Sequence, residues 1–246
     1  MLLLIDKPKG LTSHDVVDRV RKIVSNKLPS QHIRRIKVGH AGTLDPNATG
    51  LLIVGVGRES TKLLEKIAKN TTKTYKAEIY LGEERDTHDV EGQKIPNSNF
   101  MARSTNLQDK LSDNAKVSKL KIIKVLNTFL GEQNQLPPRY SAIKVKGKKA
   151  YELARAGKDV KLKPRKITIH SIELISYKYP LLKIQCEASS GTYIRSLARD
   201  IGRRLGCGAY LNELRRQKIG KYEIEKSVSL DELENRSWEK LASEVK

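Results

Sequence analysis

Two hydrophobic periods follow one another irregularly along the chain, one of two residues and one of three to four, so strands and helices must be interleaved. Residues 2–5 read as a short apolar strand ending at the turn Lys7-Pro8-Lys9-Gly10. Val16, Val17, Val20, Ile23 and Val24 then recur at the spacing of one buried helix face, with Thr12 or Ser13 able to cap it and Asp15 in its first turn. An apolar strand is predicted over residues 51–56 and a short helix over 60–69. Residues 75–81 alternate, with Ala77 and Ile79 on one face and Lys76, Glu78 and Tyr80 on the other, as in a half-solvated strand. Residues 83–116 are mostly polar and read as loop; Leu120, Ile123, Val125, Leu126 and Phe129 before Gly131 predict another helix with a glycine stop. Strands over 166–177 and 181–188, a helix over 192–205, a strand over 210–219 and a last helix opened by the capping box Ser229 to Glu232 complete the reading. No internal repeat is evident, and 246 residues suit one large domain.

The charge narrows the partners. Forty-eight Lys and Arg against 28 Asp and Glu leave +20, which points first to nucleic acid, although a merely solvated basic surface gives the same count. A membrane would attract this charge too. The sequence has no long apolar run, no signal-peptide core and no lipidation signal, so the expected location is the cytoplasm, with no membrane partner. Cys186 and Cys207 are too few for a disulfide framework, and the five histidines, His14, His32, His40, His88 and His170, have no ligand spacing, so no metal is expected. Gly55-Val56-Gly57 lacks the third glycine of a dinucleotide fingerprint and no phosphate-binding Gly-Lys-Ser or Gly-Lys-Thr occurs, so no cofactor is expected either. Neither cysteine has a histidine nearby and no Gly-x-Ser-x-Gly elbow is present. Carboxylate catalysis survives this elimination.

One carboxylate stands out. The stretch from Val38 to Gly50 contains three glycines and an aspartate, Asp45, followed at once by Pro46. Such a pair is ordinarily only a turn or cap. Gly191-Thr192-Tyr193-Ile194-Arg195 places Arg195 in the first turn of a helix, where the macrodipole disfavours a cation. A guanidinium there can hold a carboxylate by two prongs and keep it ionised; a solvated arginine is the plainer reading. Residues 136–163 form a lysine-rich excursion in which Tyr140 and Tyr151 are interleaved, suited to gripping a phosphate backbone or to an ordinary surface loop.

These residues recur in motifs that resemble the TruB-type tRNA pseudouridine-55 synthases. The matching stretches, in the family's order, are Asp6 to Ser13 (DKPKGLTS), Gly39 to Pro46 (GHAGTLDP), Lys73-Thr74-Tyr75, Pro137 to Ala142 (PPRYSA), Gly191 to Arg195 (GTYIR) and Leu214-Arg215-Arg216. Together they span nearly the whole chain. The resemblance implies an α+β fold, a mixed and mainly antiparallel central sheet with flanking helices, carrying the basic segment 136–163 as an insertion that presses on the T-loop. It implies a catalytic domain over residues 1–228 and a short C-terminal helix over 229–246. Family members commonly add a small RNA-binding domain there, and this chain is expected not to carry a full one. It also departs from the family in carrying Ala188 where a cysteine is frequent; Cys186 stands two positions earlier.

The activity implied is isomerisation of a T-loop uridine of tRNA, position 55, to pseudouridine. Asp45 is the implied catalytic carboxylate, Tyr75 stacks on the flipped base and assists proton removal, and Arg195 pairs with Asp45. Tyr193 and Leu214 line the pocket, His40 meets the RNA beside the flipped nucleotide, Asp89 helps hold the base, and Lys7 belongs to the substrate-binding set. Breaking the N1 glycosidic bond and rejoining the base through C5 gains and loses no atom, so neither redox cofactor nor metal is required. The expected partner is tRNA, and the expected state a monomer. Two rivals remain at this point: a catalytically silent RNA-binding factor, which would not need Asp45, and an enzyme of the same chemistry acting on other RNA within a guide-RNA particle.

Overall fold

Strand β1 (Leu2–Lys7) and strand β3 (Thr49–Val56) pair antiparallel from Leu2 opposite Gly55 to Lys7 opposite Gly50. This comes from a computed structural model that describes residues 1–27, 36–96, 117–145, 147–158 and 160–245. Contacts divide the chain into two units, Met1–Lys76 with Leu214–Lys246, and Ala77–Glu213.

In the first unit β3 is covered on both faces, which is why residues 51–54 read as an unbroken apolar run. Leu52, Val54 and Val56, with Leu3 and Ile5 of β1, face the buried stripe of helix α1 (Ser13–Asn26): Val16, Val20, Ile23 and Val24. Thr12 caps α1 with a reciprocal Thr12–Asp15 box. Leu51 and Ile53 turn the other way, towards Leu64 of helix α2 (Arg58–Lys69), Ile219 and Ile224. Strand β2 (Val38–Ala41) pairs antiparallel with β3, a strand inside the stretch read as loop. Four residues that include Gly39 and His40 carry no period, and pairing alone defines them. Arg215 and Arg216 of strand β10 (Ala209–Ile219) pair in parallel with Thr49 and Gly50. Two short helices, α6 (Leu230–Asn235) and α7 (Trp238–Ser243), stand where one is expected, and both bury apolar side chains against the α1 cluster.

In the second unit the strands run in the order β4 (Lys73–Leu81), β9 (Leu181–Ala188), β8 (Arg165–Lys178), β5 (Gly131–Gln135). β8 pairs antiparallel with both β9 and β5. Helices α3 (Lys119–Asn127) and α5 (Ile194–Leu205) pack on one another, burying Ile122 and Leu126 from one and Leu197, Ala198 and Ile201 from the other. The basic excursion contains a small hairpin, β6 (Lys144–Val145) with β7 (Lys148–Lys149), and helix α4 (Ala150–Arg155). The registers described are antiparallel apart from β3 with β10, so the fold is α+β with mainly antiparallel pairing, as expected. Of the polar loop read over 83–116, residues 97–116 lie outside the described residues.

Candidate active site

Asp45 lies half-buried on the turn between β2 and β3, and its backbone is pinned from several sides. The buried Ser13 hydroxyl accepts from the Leu44 amide at 2.8 Å and donates to the Leu44 carbonyl at 3.1 Å. The Gly10 amide donates to the Pro46 carbonyl at 2.9 Å, and the Ala48 amide to the Asp45 carbonyl at 3.1 Å. Lys7, with 0% of its surface exposed, points its ammonium at three carbonyls: Pro8 at 2.9 Å, Leu11 at 2.5 Å and Pro46 at 3.1 Å. Three donors meet three acceptors, so the cation is satisfied within the protein. Burial pushes Lys7 down to about 8, opposed by the nearby Asp45 carboxylate and reinforced by Arg216.

Arg216 ties the two ends of the same turn. Its Nη2 donates to the Gly42 carbonyl at 2.9 Å and its Nε to the Leu51 carbonyl at 2.8 Å, with the side chain almost wholly buried. Tyr75, also buried, is hydrogen-bonded to this guanidinium and offsets part of the downward push that burial exerts on it. Gly50 makes the approach possible: its φ is +103°, and a Cβ there would overlap the Arg216 backbone. His40 sits on β2 opposite Val54; burial, Arg216 and His14 push its imidazole down, and its Nδ1 is buried without a hydrogen-bond partner. Leu214 is half-buried on β10, its carbonyl accepting from Thr49 Oγ1 at 3.4 Å. Asp45, Lys7, His40, Tyr75 and Leu214 thus belong to the first unit.

Arg195, Asp89 and Tyr193 belong to the second. Arg195 is the second residue of α5 and is buried, with Nη2 donating to the Tyr140 carbonyl at 3.0 Å and Nη1 to the Thr87 carbonyl at 3.4 Å. The same Nη1 lies 3.3 Å from Asp89 Oδ2, a nearby carboxylate that offsets the cost of a cation at a helix start. Asp89 is itself held, its Oδ1 accepting from Thr87 Oγ1 at 2.5 Å and from the Glu91 amide at 3.1 Å. Tyr193 caps α5, and Gln135 fixes its backbone by accepting from its amide at 2.8 Å and donating to its carbonyl at 3.1 Å.

Sequence reasoning missed Ser13, Arg216, Gln135 and Thr87 as residues that hold the candidate side chains in place. Ser13 was visible only as a helix cap, and Arg216 only as part of the Leu-Arg-Arg motif. The one available signal for Arg216 is its place two residues after Leu214 on a strand whose inward side chains are otherwise apolar. Among the described residues no group of three or more His, Cys, Asp or Glu could hold a metal, and no helix is long and apolar enough to cross a membrane.

Comparison with known proteins gives this arrangement its context. The sequence matches the TruB family pseudouridylate synthase N-terminal domain over residues 30–194 and the tRNA pseudouridylate synthase B C-terminal domain over residues 195–245. It is 45% identical to a tRNA pseudouridine synthase B of Dehalococcoides mccartyi (strain CBDB1) over 233 residues, 95% of this chain and 69% of that protein. It is 43% identical to the one of Aquifex aeolicus over 232 residues, 94% of this chain and 72% of that protein. Among solved structures, a Cbf5-Nop10-Gar1 complex contains a chain that superposes with a TM-score of 0.67 at 26% identity, covering 100% of this chain. An H/ACA ribonucleoprotein bound to a substrate RNA gives 0.65 at 25%. This chain spans 56% of each of those solved chains. With both family matches running across the motifs that carry Asp45, Tyr75, Arg195 and Arg216, the chain belongs to the TruB family of pseudouridylate synthases.

Proposed function

We propose that this protein isomerises the T-loop uridine of tRNA, position 55, to pseudouridine, with Asp45 as its catalytic carboxylate. The observation that carries the reading is the Asp45 turn: a reactive group on a backbone immobilised by Ser13, Lys7, Gly10 and Arg216, in a family of pseudouridylate synthases. A nucleotide must leave its stack to reach such a site, and an aromatic platform such as Tyr75 returns part of the cost of about a few kcal/mol. In this reading Tyr75 stacks on the base and assists loss of the C5 proton. Arg195, aimed by Asp89 and two carbonyls of its own unit, is the guanidinium of the proposed catalytic set. His40, Tyr193, Leu214 and Asp89 are the proposed substrate-binding residues. Lys7 contributes by holding the turn and not by touching RNA, because each of its donors is already used.

The N1 to C1′ bond breaks, a C5 to C1′ bond forms, the C5 proton leaves to solvent and N1 takes up a proton in its place. The assay is therefore tritium release from C5-labelled tRNA, followed by mapping of the modified position. Release stoichiometric with pseudouridine at one T-loop position supports the assignment; RNA binding without release would leave a silent RNA-binding protein. The exposed lysines Lys144, Lys148 and Lys149 of the β6–β7 hairpin supply phosphate contacts. The protein acts in the cytoplasm as a monomer.

A further inference from the structure

His88 is the only described residue other than glycine with a positive φ, +64°, a conformation that most L side chains resist. It stands between Thr87 and Asp89, two of the residues that hold Arg195. Its left-handed backbone reverses the chain so that the Thr87 carbonyl and Asp89 Oδ2 converge on one nitrogen, Arg195 Nη1, at 3.4 and 3.3 Å. The turn is fixed around it: the His88 amide donates to the Arg85 carbonyl at 3.0 Å, and the Leu211 amide donates to the His88 carbonyl at 2.9 Å. Arg85 donates to the Val90 carbonyl at 2.5 Å while its guanidinium lies 4.2 Å over Tyr210, which in turn stacks on Tyr80. Gly92 closes the turn where any Cβ would overlap Thr87 and Asp86. The whole device belongs to the second unit.

We propose that His88 is a positioning residue for the isomerisation: its left-handed backbone, and not its ring chemistry, aims Thr87 and Asp89 at Arg195. The ring makes no hydrogen bond through its buried Nδ1. A residue that cannot hold φ near +64° would open the turn, remove two of the acceptors on Nη1 and let the guanidinium drift. The inference rests on the proposed role of Arg195 in a pseudouridine synthase.

The test is a substitution series in the full chain, with single-turnover rate, KM for tRNA and thermal unfolding measured for each variant. His88→Gly and His88→Asn, which both tolerate the left-handed region, are expected to keep the rate within about threefold, whereas His88→Val is expected to lose about tenfold or more with KM little changed. In an Arg195→Lys background the same His88→Val change is expected to cost little more, because it acts through that guanidinium. A purely structural role would lower the unfolding temperature and leave the rate of folded protein unchanged, which overturns the proposal. So does a His88→Gly variant as slow as His88→Val, since the ring would then be the active part. If His88→Val does not fold, His88→Ala against His88→Gly decides by the same ranking. Inactive wild-type protein would instead defeat the functional reading itself.

Discussion

The role proposed for Asp45 needs a backbone that stays still, and buried polar groups hold it. Ser13 satisfies both backbone groups of Leu44, and Lys7 is buried to hold Pro46, each leaving an unpaired partner if removed. Arg195 is treated likewise, with a carboxylate and two carbonyls around one planar group. Lysine offers a point charge without that fork, so Arg195→Lys is expected to reduce single-turnover rate by about a hundredfold while tRNA affinity holds. Near-normal turnover would refute its role. His88 gives a second prediction. Burial, then the charges of Arg199, Arg195 and Arg203, push it down to about 3. The unfolded chain therefore binds a proton that the folded one refuses between about pH 6.5 and 3, and stability falls as pH drops through that window. The limiting slope is about 1.4 kcal/mol per pH unit. Urea midpoints at pH 7 and 5 should show a larger acid loss in the wild type than in His88→Asn; equal losses would contradict it.

At the scale of elements, Gly50 decides how β3 meets β10. Gly50→Ala must accommodate φ +103° and an overlap with the Arg216 backbone, so destabilisation of about 3 kcal/mol or more is expected in urea unfolding, with turnover lost because Arg216 carries the Asp45 turn. A variant as stable as wild type would show that the pairing is looser. What could be read from sequence followed the physics of burial. The alternation of Ala77 and Ile79 against Lys76 and Glu78 announced β4, and the five valines and isoleucines of α1 announced their stripe, because one face of each is dry. β5 (Gly131-Glu-Gln-Asn-Gln135) left no such trace: it ends the strand order, most of its side chains meet water, and its identity comes from β8. The catalytic motifs were legible through resemblance, but Arg216 was given no role, because a wholly buried guanidinium runs against the rule that puts arginine at the surface.

Over the whole molecule the +20 charge sets the terms of encounter with RNA. The logarithm of tRNA affinity should fall linearly with the logarithm of salt concentration, by about 0.7 to 0.9 for each phosphate neutralised. Replacing Lys144, Lys148 and Lys149 together by Ala should flatten that slope by about 2 to 3 without altering single-turnover rate at saturating protein. An unchanged slope would remove the hairpin from the RNA footprint. The proposed function thus separates affinity from chemistry, one assigned to many lysines and the other to a single turn. That separation is sharpest at Asp45 itself, where Asn changes charge and hardly volume. Tritium release from C5-labelled tRNA, measured beside equilibrium binding, should be abolished by Asp45→Asn while affinity stays within about threefold of the wild type. Pseudouridine formed by that variant at anything near the wild-type rate would contradict the account.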